Sequence, residues 1–515
     1  MHSLYSVLLV LFFVLQAKAK PLTEAQIYKR CYAQLSQVAV PINDARITQI
    51  KNKQITGVQA CAQLLSEADF DSNGRLRTIN PLTIKIVKTF TDFHRSWFNN
   101  SRLEQSTDYS LETDGSTMDV FDANEPALFI TRQLFLPDAQ YKNILRGSQG
   151  VQAIRQEDRS ISAALGFTPQ MTVPGRFYAG NNAAIQENKF TFADASVRLL
   201  GIEDLPNRPA EDFVTLPRMN AGEIVGVQMN TFSAMIPNFY LRLFHGDENA
   251  RVRYGETIDY TFDIYKNRGG GILGSSTFFM MNSGHTKGQI FNGSTKVPRA
   301  WTKAAMESLM CSPFPSLRES DISQFVVGNS SAPFRNSSSC VMCHATLDPF
   351  AYVARNRVVG NSDFTNYLKN TILVGNFKAV LPSVTGWPSE PVTNFQRQEP
   401  KGRLYYRSAT GALVDRSVNN SEEMGQAMSE TEDFYQCAAK RYFQYFTGIN
   451  VSLYDRTNPA NSETNRKLTT ADKEDRKFIE KLAKELRTTQ SLPNMVRQII
   501  GSDYYKYPNY RVEEN

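Results

Sequence analysis

Apolar residues return at every third or fourth position through much of this chain, which is the spacing of a helix with one buried face. Ile27, Cys31 and Leu35 make one such stripe; Val58, Cys61 and Leu65 make another. Each is preceded by a polar residue three positions ahead of a glutamine, Thr23 with Gln26 and Thr56 with Gln59, the spacing of a capping box. The pattern predicts mostly helix from residue 20 to about 135, with a further helical stretch from Glu125 through Leu145. From about Phe167 to Asn230 the periodicity fades among Pro, Gly and Asn, and only short runs such as Glu223 to Val227 read as strands. Helical character returns from Phe232 to Phe244 and again from Trp301 to Cys311, where Trp301, Ala305 and Leu309 share a face. Residues 366 to 415 read as loop with alternating runs such as Ala379 to Leu381. A helix carrying Phe434, Cys437, Ala438, Arg441 and Tyr445 is expected to start at a capping box, Ser429 to Glu432, and to stop at Gly448. Residues 455 to 472 are polar. Arg476 to Leu486 and Leu492 to Ile500 close the chain as two more helices.

The first residues behave differently. Val7 to Leu15 is an unbroken apolar run, followed by Ala17-Lys18-Ala19 with small residues where a signal peptidase reads. Nine apolar residues are too few for a bilayer core about 30 Å thick. Residues 1–19 are therefore expected to be a signal peptide, and no later segment is apolar enough for stable membrane insertion. The formal net charge is +6 over 515 residues, with Lys and Arg scattered rather than clustered. That distribution lacks the footprint of a nucleic-acid partner. Arg268-Gly269-Gly270-Gly271 is a glycine turn without the spacing of a phosphate loop.

Six cysteines remain to be placed. In an exported protein an even number points to disulfides. Cys31 and Cys61, inward on neighbouring helices, are the natural first pair, and Cys311 with Cys437 the second. The last two stand in Ser339-Cys340-Val341-Met342-Cys343-His344. Two thiols about one helical turn apart, with a histidine directly after the second, is the arrangement that fixes a haem covalently and sets an imidazole under its iron. Chance would produce such a pentad in roughly one chain in fifteen hundred of this composition. Structural zinc is a competitor, but it needs a second close pair of ligands, and Cys311 and His285 are isolated. A thiol-exchange site is another, but it would follow an apolar strand, and here a polar loop precedes the motif. A plain cross-link is the third.

The segment Cys340 to Tyr352, CVMCHATLDPFAY, resembles the haem segment of the planctomycete-type cytochrome c superfamily, large exported proteins whose single motif reads Cys-x-x-Cys-His, three residues, Asp-Pro. Asp348-Pro349 match, whereas the usual Gly-Phe is replaced by Phe350-Ala351-Tyr352. Glu125 to Leu145, Arg268 to Leu273 with Trp301 to Cys311, Cys437 to Gly448 and Phe478 to Tyr507 are similar to other blocks of that family, in the same order. The resemblance implies export and one covalent haem c, and little about any substrate.

These observations predict a mainly α fold: a cytochrome c-like helical haem domain with additional helical and loop-rich segments and minor β. The divisions are a signal peptide (1–19), an N-terminal helical domain (20–150), a loop-rich mixed region (151–264), a haem c-binding domain (265–450) and a C-terminal helical module (451–515). Cys340 and Cys343 are expected to hold the porphyrin, with His344 as axial ligand. A sixth ligand is sought among Met280, Met281 and His285, with Met424 and Met428 as further candidates; the other outcome is an open position. Asp348-Pro349 is expected to turn the chain and bring a carbonyl to the His344 ring N–H. The corresponding function is one-electron transfer with a redox partner protein outside the cytoplasm, in the periplasm or secreted. The alternatives are a haem-dependent peroxidase or oxidase with an open axial site, or a disulfide-stabilised extracytoplasmic binding protein.

Overall fold

Capping chemistry sets the first helices of the computed structural model, which describes residues 20–70, 77–78, 80–98, 111–113, 118–120, 125–146, 225–228, 261–264, 270–274, 278–279, 282, 293–326, 328, 333–354, 357–364, 368–380, 400–453 and 468–507. Helix α1 (Glu24–Ser36) opens with Thr23 and Gln26 satisfying each other's backbone N–H groups. Helix α2 (Ala45–Lys51) is capped by Asp44, and α3 (Gly57–Ser66) by a second box, Thr56 with Gln59. Cys31 on α1 and Cys61 on α3 are both buried, with Cα atoms 6.0 Å apart and sulfurs at disulfide distance, as their facing stripes predict. Helix α4 (Pro81–Arg95) has Asn80 as cap and proline at its first position, where a missing N–H costs nothing. Helix α5 (Glu125–Phe135) and a 3₁₀ turn at Tyr141–Ile144 complete this part.

Further along come α6 (Gly293–Leu309), the short α7 (Glu319–Ile322) and α8 (Ser338–Ala351), which carries the cysteine motif. Trp301, Ala305 and Leu309 are buried along α6, as their spacing predicts. Then follow α9 (Ser421–Ser429), α10 (Glu432–Thr447), α11 (Thr470–Thr489), α12 (Leu492–Gly501) and α13 (Asp503–Lys506). Gly448 closes α10 in the left-handed conformation, φ +78°, which glycine adopts without steric cost. The start of α10 differs from the expected capping box. Ser429 ends α9, and the Thr431 hydroxyl donates to the Met428 carbonyl instead of capping α10. Cys311, just past α6, and Cys437 on α10 have Cα atoms 5.1 Å apart and sulfurs at disulfide distance. A bridge spanning 126 positions contributes about 5 kcal/mol in the chain-entropy picture.

The strands β1 (Leu111–Thr113), β2 (Met118–Val120), β3 (Val225–Gln228), β4 (Thr261–Ile264), β5 (Arg357–Phe364) and β6 (Leu368–Val380) form one sheet in the order β2-β1-β6-β4-β3, with β5 also paired to β6. A separate hairpin joins β7 (Gly402–Arg407) to β8 (Leu413–Val418). The β content between residues 357 and 418 exceeds the loop expected there. The long strand β6 pairs with the adjacent β5 and also with β1 and β4, far away in sequence, and the distant pairings leave no local spacing to read. The fold is nevertheless mainly helical. One continuous core takes side chains from α1, α3, α4, α5, α6, α9, α10, α11 and α12. Among the described residues no helix is long and apolar enough to cross a membrane. Residues 1–19, the helical stretch 232–244, most of the polar segment 455–472 and the candidates Met280, Met281 and His285 lie outside the described residues.

Candidate functional site

The motif helix α8 divides its surface by the 3.6-residue repeat. Val341 and Ala345 point into a small separate cluster with Leu317, Ile322 and Tyr405. Phe350, nearer the C-terminus, meets the wholly buried Trp301 of α6 with ring centroids 5.4 Å apart. That leaves Cys340, Cys343, His344 and Leu347, spaced i, i+3, i+4 and i+7, on a stripe that is half-buried to exposed. Two sulfurs, an imidazole and an isobutyl group therefore share one partly open face. Both thiols are free rather than bridged to each other.

Burial, reinforced by the neighbouring Cys340, pushes the Cys343 thiol above its ordinary pKa. A thiol-exchange nucleophile needs the opposite shift, toward thiolate at neutral pH. Among the described residues, no three or more His, Cys, Asp or Glu side chains gather in a metal-binding group. The four-donor set of a structural zinc site is thus not assembled around Cys340 and Cys343 by the described side chains.

His344 is oriented by charge. Its Nδ1 lies 3.1 Å from Asp348 Oδ1, one helical turn on. Asp348 is nearly buried, and Arg299 of α6 grips it with Nε at 2.5 Å from Oδ1 and Nη2 at 3.0 Å from Oδ2. Burial pushes the Asp348 carboxyl up, but the hydrogen bonds and charges of His344 and Arg299 outweigh it and hold the group below its usual range. Asp348 is therefore a carboxylate at neutral pH. Where a carbonyl was expected, the ring Nδ1 meets the Asp348 carboxylate. The reason is that α8 does not turn at Asp348-Pro349. Pro349 stays inside the helix, where it lacks the N–H that would bond Ala345, and the helix runs on to Ala351. The Pro349 carbonyl lies against Gly402 of β7. A Cβ there would sit 2.6 Å from that oxygen and 2.6 Å from Val353 Cγ1, so only glycine allows the approach.

Polar ties hold the rest of the helix. Thr346 Oγ1 donates to the Tyr405 carbonyl at 2.6 Å, which leaves it to accept from Ser316 Oγ at 2.9 Å. Tyr405 in turn donates its hydroxyl to the Asp321 carbonyl at 2.9 Å. Arg407 forks onto the Asp321 carboxylate at 2.8 and 2.6 Å. The motif helix is thereby anchored to α6, to the segment around α7 and to β7.

Of the other residues singled out in the sequence, Met424 and Met428 are fully buried on α9 as members of the continuous core. Trp301 Nε1 is buried and, among the described residues, meets no hydrogen-bond partner. The Asp348–Arg299 pair is the part sequence reasoning missed. The i, i+4 spacing of His344 and Asp348 is a usable signal for the first link. Arg299, 49 positions away, leaves none.

His94 is a second histidine of a different kind. It is wholly buried between α4, α5 and α10. Nδ1 lies 2.7 Å from Thr131 Oγ1, and Nε2 lies 2.7 Å from the Tyr442 hydroxyl. Thr131 donates to the Ala127 carbonyl at 2.9 Å, so it accepts from Nδ1–H, and Nε2 accepts from Tyr442. Burial lowers the His94 pKa well below the ordinary value, and the ring stays neutral.

No protein-family model matches the chain, and no curated protein or solved structure is significantly similar to it.

Proposed function

We propose that this chain is an exported c-type cytochrome with one covalent haem, held by Cys340 and Cys343 with His344 as axial ligand, and that it exchanges single electrons with a protein partner. The observation that carries this reading is the stripe on α8: two unbridged thiols one helical turn apart, flanked by an imidazole already oriented through its Nδ1. The residues fit the group in three further respects. The stripe is partly open, and its two sulfurs and Leu347 give a flat hydrophobic face something to lie against. The opposite side of α8 is fixed by packing and by Thr346, so the thiols sit on a rigid element. The orphan Nε1 of Trp301 belongs to the helix that packs on the motif and is a donor of the kind a ligand carboxylate uses.

When bound, the haem iron supplies a one-electron couple. The polypeptide holds the porphyrin, directs His344 through Asp348, and buries the far side of the helix from water. The apolar start of the chain and two cysteine pairs at disulfide distance support an oxidising compartment outside the cytoplasm. The resemblance of the Cys340 to Tyr352 segment to the planctomycete-type cytochromes supports the same reading.

An absorption spectrum of protein matured in a host with haem-attachment machinery tests it. Sharp reduced α and Soret bands unchanged by carbon monoxide are expected. A spectrum that responds to carbon monoxide transfers the assignment to a haem enzyme with an open axial position. No visible absorption leaves a disulfide-stabilised binding protein.

A further inference from the structure

We propose that Asp348, clamped by Arg299, is a positioning residue that locks His344 in the Nδ1–H tautomer, so that Nε2 is the donor atom offered to a ligand and its donor strength is set by the Asp348–Arg299 balance. The redox consequence rests on the haem reading above; the tautomer does not.

The argument is one of geometry. Asp348 Oδ1 lies 3.1 Å from His344 Nδ1 and 2.5 Å from Arg299 Nε, while Oδ2 takes Arg299 Nη2 at 3.0 Å. A carboxylate held by a guanidinium fork accepts and does not donate. The hydrogen between Asp348 and the ring therefore belongs to Nδ1. The arginine bonds include the shorter contact, so arginine holds the larger share of the carboxylate's charge. His344 then keeps its Nδ1 proton with a strong acceptor behind it and is not an imidazolate. A negative partner on a ligating histidine raises its basicity and favours the more positive state of the metal. Arg299 damps that effect. The two residues work against each other on one oxygen, and this opposition separates their role from ordinary packing.

The test has two arms. In the first, protein lacking haem is labelled with ¹⁵N and its histidine ring nitrogens are read by two-bond proton–nitrogen correlations at a pH where imidazole is neutral. His344 is expected as the Nδ1–H form. A dominant Nε2–H form overturns the proposal, whatever the fate of the haem reading. In the second arm, the reduction potentials of haem-loaded Asp348→Asn and Arg299→Gln are compared with that of the parent, with haem content checked by mass. Asp348→Asn is expected to shift the potential up, because the anionic acceptor is lost. Arg299→Gln is expected to shift it down, because the carboxylate then leans wholly on His344. Asp348→Glu should recover part of the parent value. Shifts of the same sign in the two variants, as loosening or added solvent would produce, overturn the proposal, as does no shift in either. If Asp348→Asn does not fold, Arg299→Gln and the tautomer measurement still decide. Failure of every form, the parent included, to carry haem counts against the cytochrome reading and leaves the first arm standing.

Discussion

His94 and His344 are the same side chain put to opposite uses. His94 is sealed at the meeting of three helices, with each nitrogen satisfied by a neutral hydroxyl at 2.7 Å. Phe90, Phe93, Trp97 and Tyr442 surround it at ring-contact distances. His344 stands on a partly open helix face between a cysteine and a leucine stripe, with a charged pair behind one nitrogen. The difference teaches what a histidine needs in order to be available. Neutral partners on both sides make it a piece of core. An ionic partner behind one nitrogen and a place on a half-buried helix face make it a candidate ligand instead.

Removing the chemistry from each region should give reciprocal results. The largest effect belongs to Cys340→Ser combined with Cys343→Ser, which should abolish covalent haem on a denaturing gel. Because both residues lie on the partly open stripe, the stability of the haem-free protein in urea should change by under about 1 kcal/mol. His94→Ala should do the reverse. It leaves a cavity and strands the buried Tyr442 hydroxyl, a loss of about 3–5 kcal/mol, while folded protein still attaches haem. Loss of haem from folded His94→Ala would erase the distinction between the two sites.

Acid should sharpen the contrast. The His94 pKa is lowered in the folded state, so the unfolded chain takes up a proton that the folded chain refuses. The contribution is therefore complete above about pH 6.5 and is lost as pH falls below it, by at most about 1.4 kcal/mol per unit. His94→Gln cannot titrate. The slope of unfolding free energy between pH 6.5 and 5 should be flatter in that variant by up to this amount. A milder effect than that of His94→Ala is expected from Tyr442→Phe, which deprives Nε2 of its donor and should cost about 1–2 kcal/mol in urea unfolding without altering haem content.

The two regions also differ in how far they were legible in the sequence. The caps at Thr23 and Thr56, the buried faces of α1, α3 and α6, and the close approach of both cysteine pairs follow from local spacing or from simple pairing logic. The same local rule misplaced a box at Ser429, because Thr431 spends its hydroxyl on the preceding turn. Strand β6 escaped notice although its partner β5 is adjacent in sequence, and its pairing with β1 and β4 joins segments too far apart to leave a spacing. The surroundings of His94 depend on α5 and α10, and the anchoring of Asp348 depends on Arg299, so neither left a spacing to read. The Cys340, Cys343 and His344 motif was visible because its chemistry is written within a single helical turn.

The most direct measurement is the intact mass of the mature protein expressed with haem-attachment machinery. The account predicts the polypeptide plus one haem, retained after unfolding and acid extraction. A mass equal to the polypeptide alone, with Cys340 and Cys343 still open to alkylation, would contradict it.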